Sequence, residues 1–314
     1  MTRHSFYGWV KRSLSLFLAL TALSFVVAVA QDSKSTKAKA GSDFLRFTED
    51  EKQGRLEAAI VRYKHPDGQT VDLIAAIHVG DTAYFEALNK RFESYQALLY
   101  EMVGNPEDLK DAEKLAAQDN PMRMLQRMVK TMLKLDYQLD AIDYTKANFV
   151  HADLRMEEFV ELQDSRGENI FSLVQNAMRK TAEEGNEELA SQLQFDLAPF
   201  IRALSSRDSA SALKLLVAQQ FDKAEELIDA IESDEDGTAL LTGRNKHVMK
   251  VLGEQLAAGK KKLGVFYGAA HLVDLERRLH DLGYKKSNTE WLTAWDIPKP
   301  QPKPDPGADA AAPK

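Results

Sequence analysis

Two histidines follow apolar runs of the kind that form buried strands. His78 comes directly after residues 71–77 (VDLIAAI), and His271 comes shortly after residues 262–267 (KLGVFY). Imidazole is the commonest protein ligand of metal ions and the commonest general base near neutral pH. Both positions are therefore candidates for metal binding or for acid–base chemistry.

The surroundings of the two histidines are alike. An aspartate stands three positions after each of them, and we expect Asp81 and Asp274 to cap or begin the next helix. Small residues lie close by, which leaves room for a ligand or for a close approach of the backbone. These small residues are Ala75, Ala76, Gly268, Ala269 and Ala270.

A carboxylate occupies a comparable position. Glu101 directly follows the apolar run 97–100 (ALLY), where burial would raise its pKa. Each of these three residues taken alone is more often a core or surface residue than a functional one. Together, two imidazoles and one carboxylate suffice to hold a divalent ion with open positions for water. We therefore predict a site formed by His78, Glu101 and His271.

The elements that must position these residues alternate between strand and helix near both ends of the chain. Their apolar spacing and a Pro-Asp-Gly turn at 66–68 predict a hairpin followed by βα units. The predicted strands are residues 56–63, 71–77, 97–100, 262–267 and one within 290–297, and the predicted helices are 81–94 and 273–282.

The middle of the chain has a different pattern. From about 107 to 260, charged and apolar residues interleave at helical spacing, which predicts a large helical insertion. The fold class predicted is therefore α/β (α+β), with a central mixed sheet built from N- and C-terminal βα units. Functional groups gather at the carboxyl ends of the strands of such sheets, where His78, Glu101 and His271 would lie.

The two ends of the chain do not look like parts of a core. Residues 1–30 combine basic residues, an apolar stretch and the small-x-small ending Ala28-Val29-Ala30, which predicts a cleaved signal peptide and a periplasmic or secreted protein. An uncleaved membrane anchor is the alternative, since the stretch is near the lower length limit for a span. We expect 31–42 to be a polar linker, 43–297 a single domain, and 298–314 a proline-rich disordered tail.

The amino-acid composition argues against several classes of function. The formal net charge is -7, and the leader contributes only basic residues, so the mature chain is more acidic still. Such a chain is a poor candidate for nucleic-acid binding. The chain has no cysteine, which excludes disulfides, thiolate nucleophiles and cysteine metal sites.

The same residues fall into an order that resembles the TraB/GumN/Tiki family. The resemblance rests on the run LIAAIHVGDTAYFEALNKRFESYQALLYEMV, the later LLTGRNKHVMKVL, and the closing GVFYGAAHLVDLERRLHDLGY. That family is marked by two Gly-x-x-His motifs, a glutamate after the strand that follows the first motif, and an arginine in a helix before the second. The second motif is intact at residues 268–271, the glutamate matches Glu101, and the arginine matches Arg244, with Asn245 beside it. The first motif departs from the pattern, because Ala75 stands where the family has glycine.

The resemblance implies a metal-dependent hydrolase, and in particular a peptidase that acts on peptides or proteins. Cleavage of the predicted signal peptide would leave no membrane span. Relatives of the Tiki type use Mn²⁺ or Co²⁺, and Zn²⁺ also suits such ligands. His78, Glu101 and His271 would bind the metal, Glu101 would activate the water, and Arg244 would stabilise the oxyanion.

Two other functions stay open. The superfamily also includes proteins linked to haem binding, related to ChaN, so the chain could be a non-catalytic peptide- or haem-binding protein. It also includes the erythromycin esterases, so a metal-free esterase with a histidine as general base is the third possibility. The sequence does not give the oligomeric state.

A further segment carries polar and aromatic groups that fit a substrate-facing lip. These groups are Asp143, Tyr144 and His151, although we favour a structural role for His151.

Overall fold

The computed structural model describes residues 43–107, 130–168, 198–219 and 237–299. Within these ranges, seven strands form one sheet, and two short strands form a second. The strands of the large sheet are β1 (Leu45–Glu49), β2 (Gln53–Lys64), β3 (Thr70–Ala76), β5 (Ala97–Tyr100), β7 (Phe149–His151), β8 (Lys262–Gly268) and β9 (Lys285–Pro298). The small sheet pairs β4 (Val79–Gly80) with β6 (Asp136–Tyr137).

The helices of the described residues lie between and after these strands. They are α1 (Thr82–Phe92), α2 (Gln138–Ala141), α3 (Met156–Arg166), α4 (Ala198–Leu204), α5 (Ser209–Ala218), α6 (Arg244–Ala257) and α7 (Ala269–Asp281). A π-helical turn, Ala239–Gly243, leads directly into α6.

The large sheet is mixed. β3, β8, β5 and β7 run parallel, whereas β1, β3 and β9 each pair with β2 in the antiparallel sense. The carboxyl ends of the four parallel strands therefore meet at one edge of the sheet. The predicted α/β fold with a central mixed sheet is confirmed.

The core lies against the parallel strands. In β8, Leu263, Val265, Phe266 and Tyr267 are all at most 2% exposed, and every residue of β5 is buried. Strands covered on both faces need continuous apolar side chains rather than an alternating pattern. This requirement explains why the runs KLGVFY and ALLY read so clearly as buried strands in the sequence.

Three elements differ from the sequence predictions. β7 brings a strand of the predicted helical insertion into the large sheet, so the expectation of helix throughout that region is wrong there. β9 is longer than predicted, because it pairs with β2 from Lys285 to Pro298. α7 begins at Ala269 rather than at Val273, because Ala269 and Ala270 are good helix formers that continue straight from the strand.

Several predictions fall on residues outside the described ranges. They concern the signal peptide at 1–30, the linker at 31–42, nearly all of the tail at 298–314, and parts of the helical insertion. Among the residues that are described, no helix is long and apolar enough to cross a membrane.

Candidate active site

Four charged or polar side chains come together at the carboxyl edge of the parallel strands. Glu101 directly follows β5, and Asp153 lies two residues after β7. Arg244 is the first residue of α6, and His271 lies in the first turn of α7 rather than before a helix that begins at residue 273, as we predicted. The sheet therefore places two carboxylates, a guanidinium and an imidazole in mutual contact.

Glu101 is bound through both carboxylate oxygens. Oε1 accepts a hydrogen bond from Arg244 Nη2 at 2.6 Å, and Oε2 accepts one from the backbone N–H of Gly268 at 2.6 Å. His271 Nε2 lies 3.6 Å from Oε1. Burial would raise the pKa of Glu101, but the positive charges of Arg244 and the two histidines and the Gly268 hydrogen bond outweigh it and lower that pKa. Glu101 is therefore a stable carboxylate at neutral pH, which makes it a weak proton acceptor in this arrangement.

The close approach of Glu101 to Gly268 explains why the intact motif has a glycine at this position. A Cβ at this position would lie 3.1 Å from Glu101 Oε2, in the space that the carboxylate needs to reach the Gly268 N–H. The position of Ala75 does not require a glycine in the same way, because Ala75 lies inside β3 opposite Tyr267 and is buried in the core. The alanine of the first motif is thus an ordinary interior strand residue.

Arg244 contacts the other three side chains of the cluster and is 2% exposed. Its Nε and Nη2 donate to the two carboxylate oxygens of Asp153 at 2.9 and 2.5 Å. Its Nη1 lies 3.2 Å from His271 Nε2. Burial would lower the pKa of Arg244, but Asp153 and Glu101 more than compensate and raise it. The guanidinium therefore keeps its charge in the interior of the protein.

His271 is held in one tautomer by Asn245. The Asn245 amide nitrogen donates to the backbone carbonyl of His271 at 3.2 Å and to Asp274 Oδ2 at 2.9 Å, so its oxygen is the acceptor facing His271 Nδ1 at 2.7 Å. Nδ1 therefore carries the proton, and the lone pair of Nε2 is directed toward Arg244. Burial lowers the pKa of His271 to about 4, with Arg244 acting in the same direction, so the ring is neutral at physiological pH.

The two aspartates that follow the histidines differ in their relation to the next helix. Asp81 occupies the N-cap position of α1, as predicted, but its side chain makes no capping bond and instead binds Lys214 Nζ at 2.7 Å and the backbone N–H of Asp296 at 2.6 Å. Asp274 lies inside α7, where it orients Asn245 and binds Arg278. The first aspartate attaches α5 to the sheet, and the second supports the orientation of His271.

His78 lies between β3 and β4 and is half-buried. Its backbone carbonyl accepts a hydrogen bond from the Gln138 N–H at 2.8 Å. The imidazole of His78 lies near enough to Glu101 that its positive charge, when the imidazole is protonated, lowers the pKa of the Glu101 carboxyl. The structure thus brings His78 to the edge of the sheet that carries Glu101.

The residue types of the cluster fit a divalent metal. A hydrogen bond from Nδ1 to a fixed acceptor is the usual support for a histidine that ligates through Nε2. The geometry differs, since Arg244 contacts both His271 Nε2 and Glu101 Oε1. Within the described ranges, no group of three His, Cys, Asp or Glu side chains is placed to hold a metal ion. A site shared by His78, Glu101 and His271 stays a prediction, and it requires the guanidinium to move.

Sequence reasoning missed Asp153. The residue follows the short run 149–152, much as Glu101 follows β5, but a three-residue strand inside a helical region gives little signal. His151 matches its expected structural role, with Nε2 at 2.7 Å from the Met102 carbonyl.

Comparison with models of known protein families and with curated protein sequences finds no match. The assignment of a function therefore rests on the residues of the site itself.

Proposed function

We propose that this protein is an exported hydrolase of acyl bonds, with peptides as its favoured substrates. One observation carries the proposal: a neutral imidazole, fixed in its tautomer, lies beside a buried guanidinium and a carboxylate at the carboxyl edge of a parallel sheet. Neutral His271 can take a proton from water at Nε2 once Arg244 Nη1 moves off that nitrogen, and the charge of Arg244 is suited to stabilising a developing oxyanion.

The supporting residues give this cluster its rigidity. Asp153 binds Arg244 through two hydrogen bonds, and Asp274 fixes the amide of Asn245, which in turn fixes His271. Preorganised charges and dipoles of this kind need little rearrangement during a reaction. Catalysis by His271 and Arg244 would therefore also depend on the residues that hold them in place, which are Asp153, Asn245 and Asp274.

The proposal has a metal-dependent form, which follows the resemblance to the Tiki-type relatives. His78, Glu101 and His271 would hold Mn²⁺, Co²⁺ or Zn²⁺, which lowers the pKa of a bound water when present. In this form, Arg244 must release His271 Nε2 before the ion can bind.

A metal-free hydrolase is the second candidate, and one contact favours it. The Arg244 guanidinium donates to Glu101 Oε1 at 2.6 Å, so a carboxylate that the metal would need is already bound. In this form His271 is the general base through Nε2, which Arg244 Nη1 must release as well, and Glu101 holds Arg244 in place rather than activating water.

The test is hydrolysis of peptide and ester substrates by the mature protein, with chelator and with added Mn²⁺ or Co²⁺. Metal-dependent catalysis predicts that chelator abolishes turnover, that either ion restores it, and that His78→Ala and His271→Ala each lose both metal and activity. Metal-free catalysis predicts full activity in chelator and its loss in His271→Ala. His280→Ala is the matched control, because His280 lies near the far end of α7, beside Tyr63 and the Tyr284 carbonyl.

The hydrolase proposal fails if the folded protein turns over neither substrate class under any of these conditions. A Soret band on adding haem, or saturable peptide binding without cleavage, would then identify the binding-protein alternative.

A further inference from the structure

A tyrosine from the middle of the chain lies at the same edge of the sheet as the proposed active site. Tyr144 packs its ring against Tyr100, with the ring centroids 5.1 Å apart, and against Phe149 at 5.7 Å. Tyr100 is the last residue of β5 and directly precedes Glu101. The ring of Tyr144 therefore lies against the last residue of β5, next to Glu101, and against the first residue of β7.

The hydroxyl of Tyr144 is oriented by Gln138. The side-chain amide nitrogen of Gln138 donates to the Tyr144 oxygen at 2.9 Å. Gln138 is itself 4% exposed, and its backbone N–H binds the carbonyl of His78 at 2.8 Å. A chain of two hydrogen bonds thus connects Tyr144 to the backbone of His78.

This arrangement leaves one donor available. The Tyr144 oxygen accepts from Gln138, so its own proton is free to donate, and the hydroxyl is not the donor of any hydrogen bond found among the described residues. Burial raises the pKa of Tyr144, and the nearby charge of Glu101 raises it further against the lowering effect of the Gln138 hydrogen bond, so the phenol is protonated at neutral pH. A protonated donor suits a group that must bind an oxygen atom.

We infer that Tyr144 is a substrate-binding residue of the proposed hydrolase, whose hydroxyl donates a hydrogen bond to the carbonyl oxygen of the scissile bond. The inference rests on the proposed function. Tyr144 would complement Arg244, since a neutral donor and a fixed positive charge at one edge of the sheet can both stabilise an oxyanion. Gln138 is then a positioning residue that acts through Tyr144.

The experiment compares Tyr144→Phe with the wild-type protein in the hydrolysis assay described above. Loss of one oxyanion donor predicts a fall in kcat of about 100-fold with KM nearly unchanged, because the bond strengthens in the transition state. Tyr284→Phe is the matched control, since Tyr284 donates to Gln69 at the opposite edge of the sheet. That control should keep wild-type kcat.

A second variant separates catalysis from folding. Tyr144→Phe leaves the buried amide of Gln138 without its partner, which could lower stability by itself. The double variant Tyr144→Phe with Gln138→Leu removes both polar groups and should recover stability while keeping the loss in kcat. Gln138→Leu alone retains the hydroxyl and should reduce kcat less.

The outcomes distinguish this inference from the proposed function. If wild-type protein hydrolyses substrate and His271→Ala does not, wild-type kcat in Tyr144→Phe overturns the role of Tyr144 alone. A fall in melting temperature without any change in kcat assigns Tyr144 a purely structural role and overturns it too. Absence of turnover in the wild-type protein overturns both proposals.

Discussion

Asp153 binds the guanidinium of Arg244 with both carboxylate oxygens, and both side chains are almost completely buried. This pair joins the end of β7 to the start of α6. Asp153 also stabilises the positive charge of Arg244 beside His271, which burial alone would disfavour.

Asp153→Ala should lower the free energy of unfolding by about 3–5 kcal/mol, because it leaves the buried charge of Arg244 with Glu101 as its one remaining carboxylate partner. Urea unfolding measures this change. Asp164→Ala, on the exposed surface of α3, should change it by no more than about 0.5 kcal/mol. A loss below about 1 kcal/mol for Asp153→Ala would mean that Arg244 finds another partner or water.

Gly268→Ala and Gly253→Ala should have opposite effects. A Cβ at Gly268 meets Glu101 Oε2 at 3.1 Å, so we expect a loss of about 1–3 kcal/mol together with reduced hydrolysis. A Cβ at Gly253 meets nothing within 4 Å in the middle of α6, so alanine should stabilise the protein by about 0.5–1 kcal/mol. Thermal unfolding of the two variants checks both signs, and a neutral Gly268→Ala would show that Glu101 can shift at little cost.

The stability of the chelator-treated protein should depend on pH through His271. The unfolded ring takes up a proton near its ordinary pKa of 6.5, whereas burial keeps the folded ring neutral down to about 4. Stability should therefore fall as the pH falls from 6.5 to about 4, by on the order of 3 kcal/mol from this residue, and this contribution should level off below that range.

The comparison is with His271→Gln, which cannot titrate in that range. Its free energy of unfolding should vary less with pH between those limits, and the two slopes should agree above pH 7 or so. Equal slopes throughout would mean that the imidazole is solvated in the folded protein.

Lys214→Ala should weaken the attachment of α5 to the sheet. Lys214 is 6% exposed and binds Asp81, so its loss leaves a half-buried carboxylate with one backbone partner, at a cost of about 2 kcal/mol. The control is Lys130→Ala, which breaks the ion pair with Asp136 at a side chain that is 54% exposed and should cost less than about 1 kcal/mol. Similar losses in urea unfolding would contradict the structural role of Lys214.

The elements that the sequence predicted well are those with continuous apolar runs. β5 begins and ends where the run ALLY predicts, because a strand buried on both faces allows few alternatives. His78, Glu101 and His271 were placed at one edge of the sheet by the same reasoning, since the ends of parallel strands must coincide. The structure confirms that placement, whereas their roles stay predictions.

The parts that could not be predicted depend on partners far away in the chain. Asp81 looks like a helix cap by local spacing, yet its side chain binds Lys214, 133 positions later. Arg244 is separated by 91 positions from Asp153, the carboxylate that holds it. Local patterns give no information on such pairs, and one sequence without relatives gives no covariation that would reveal them.

The order of strands in the large sheet also constrains how the chain folds. β8 lies between β3 and β5, although nearly 200 residues separate β3 from β8. Neither of the earlier strands can complete its hydrogen bonds until residue 268 has been synthesised, and β2 waits still longer for β9. The chain therefore remains without its native sheet during most of its synthesis, and the sheet forms as a unit only after β8 and β9 are available.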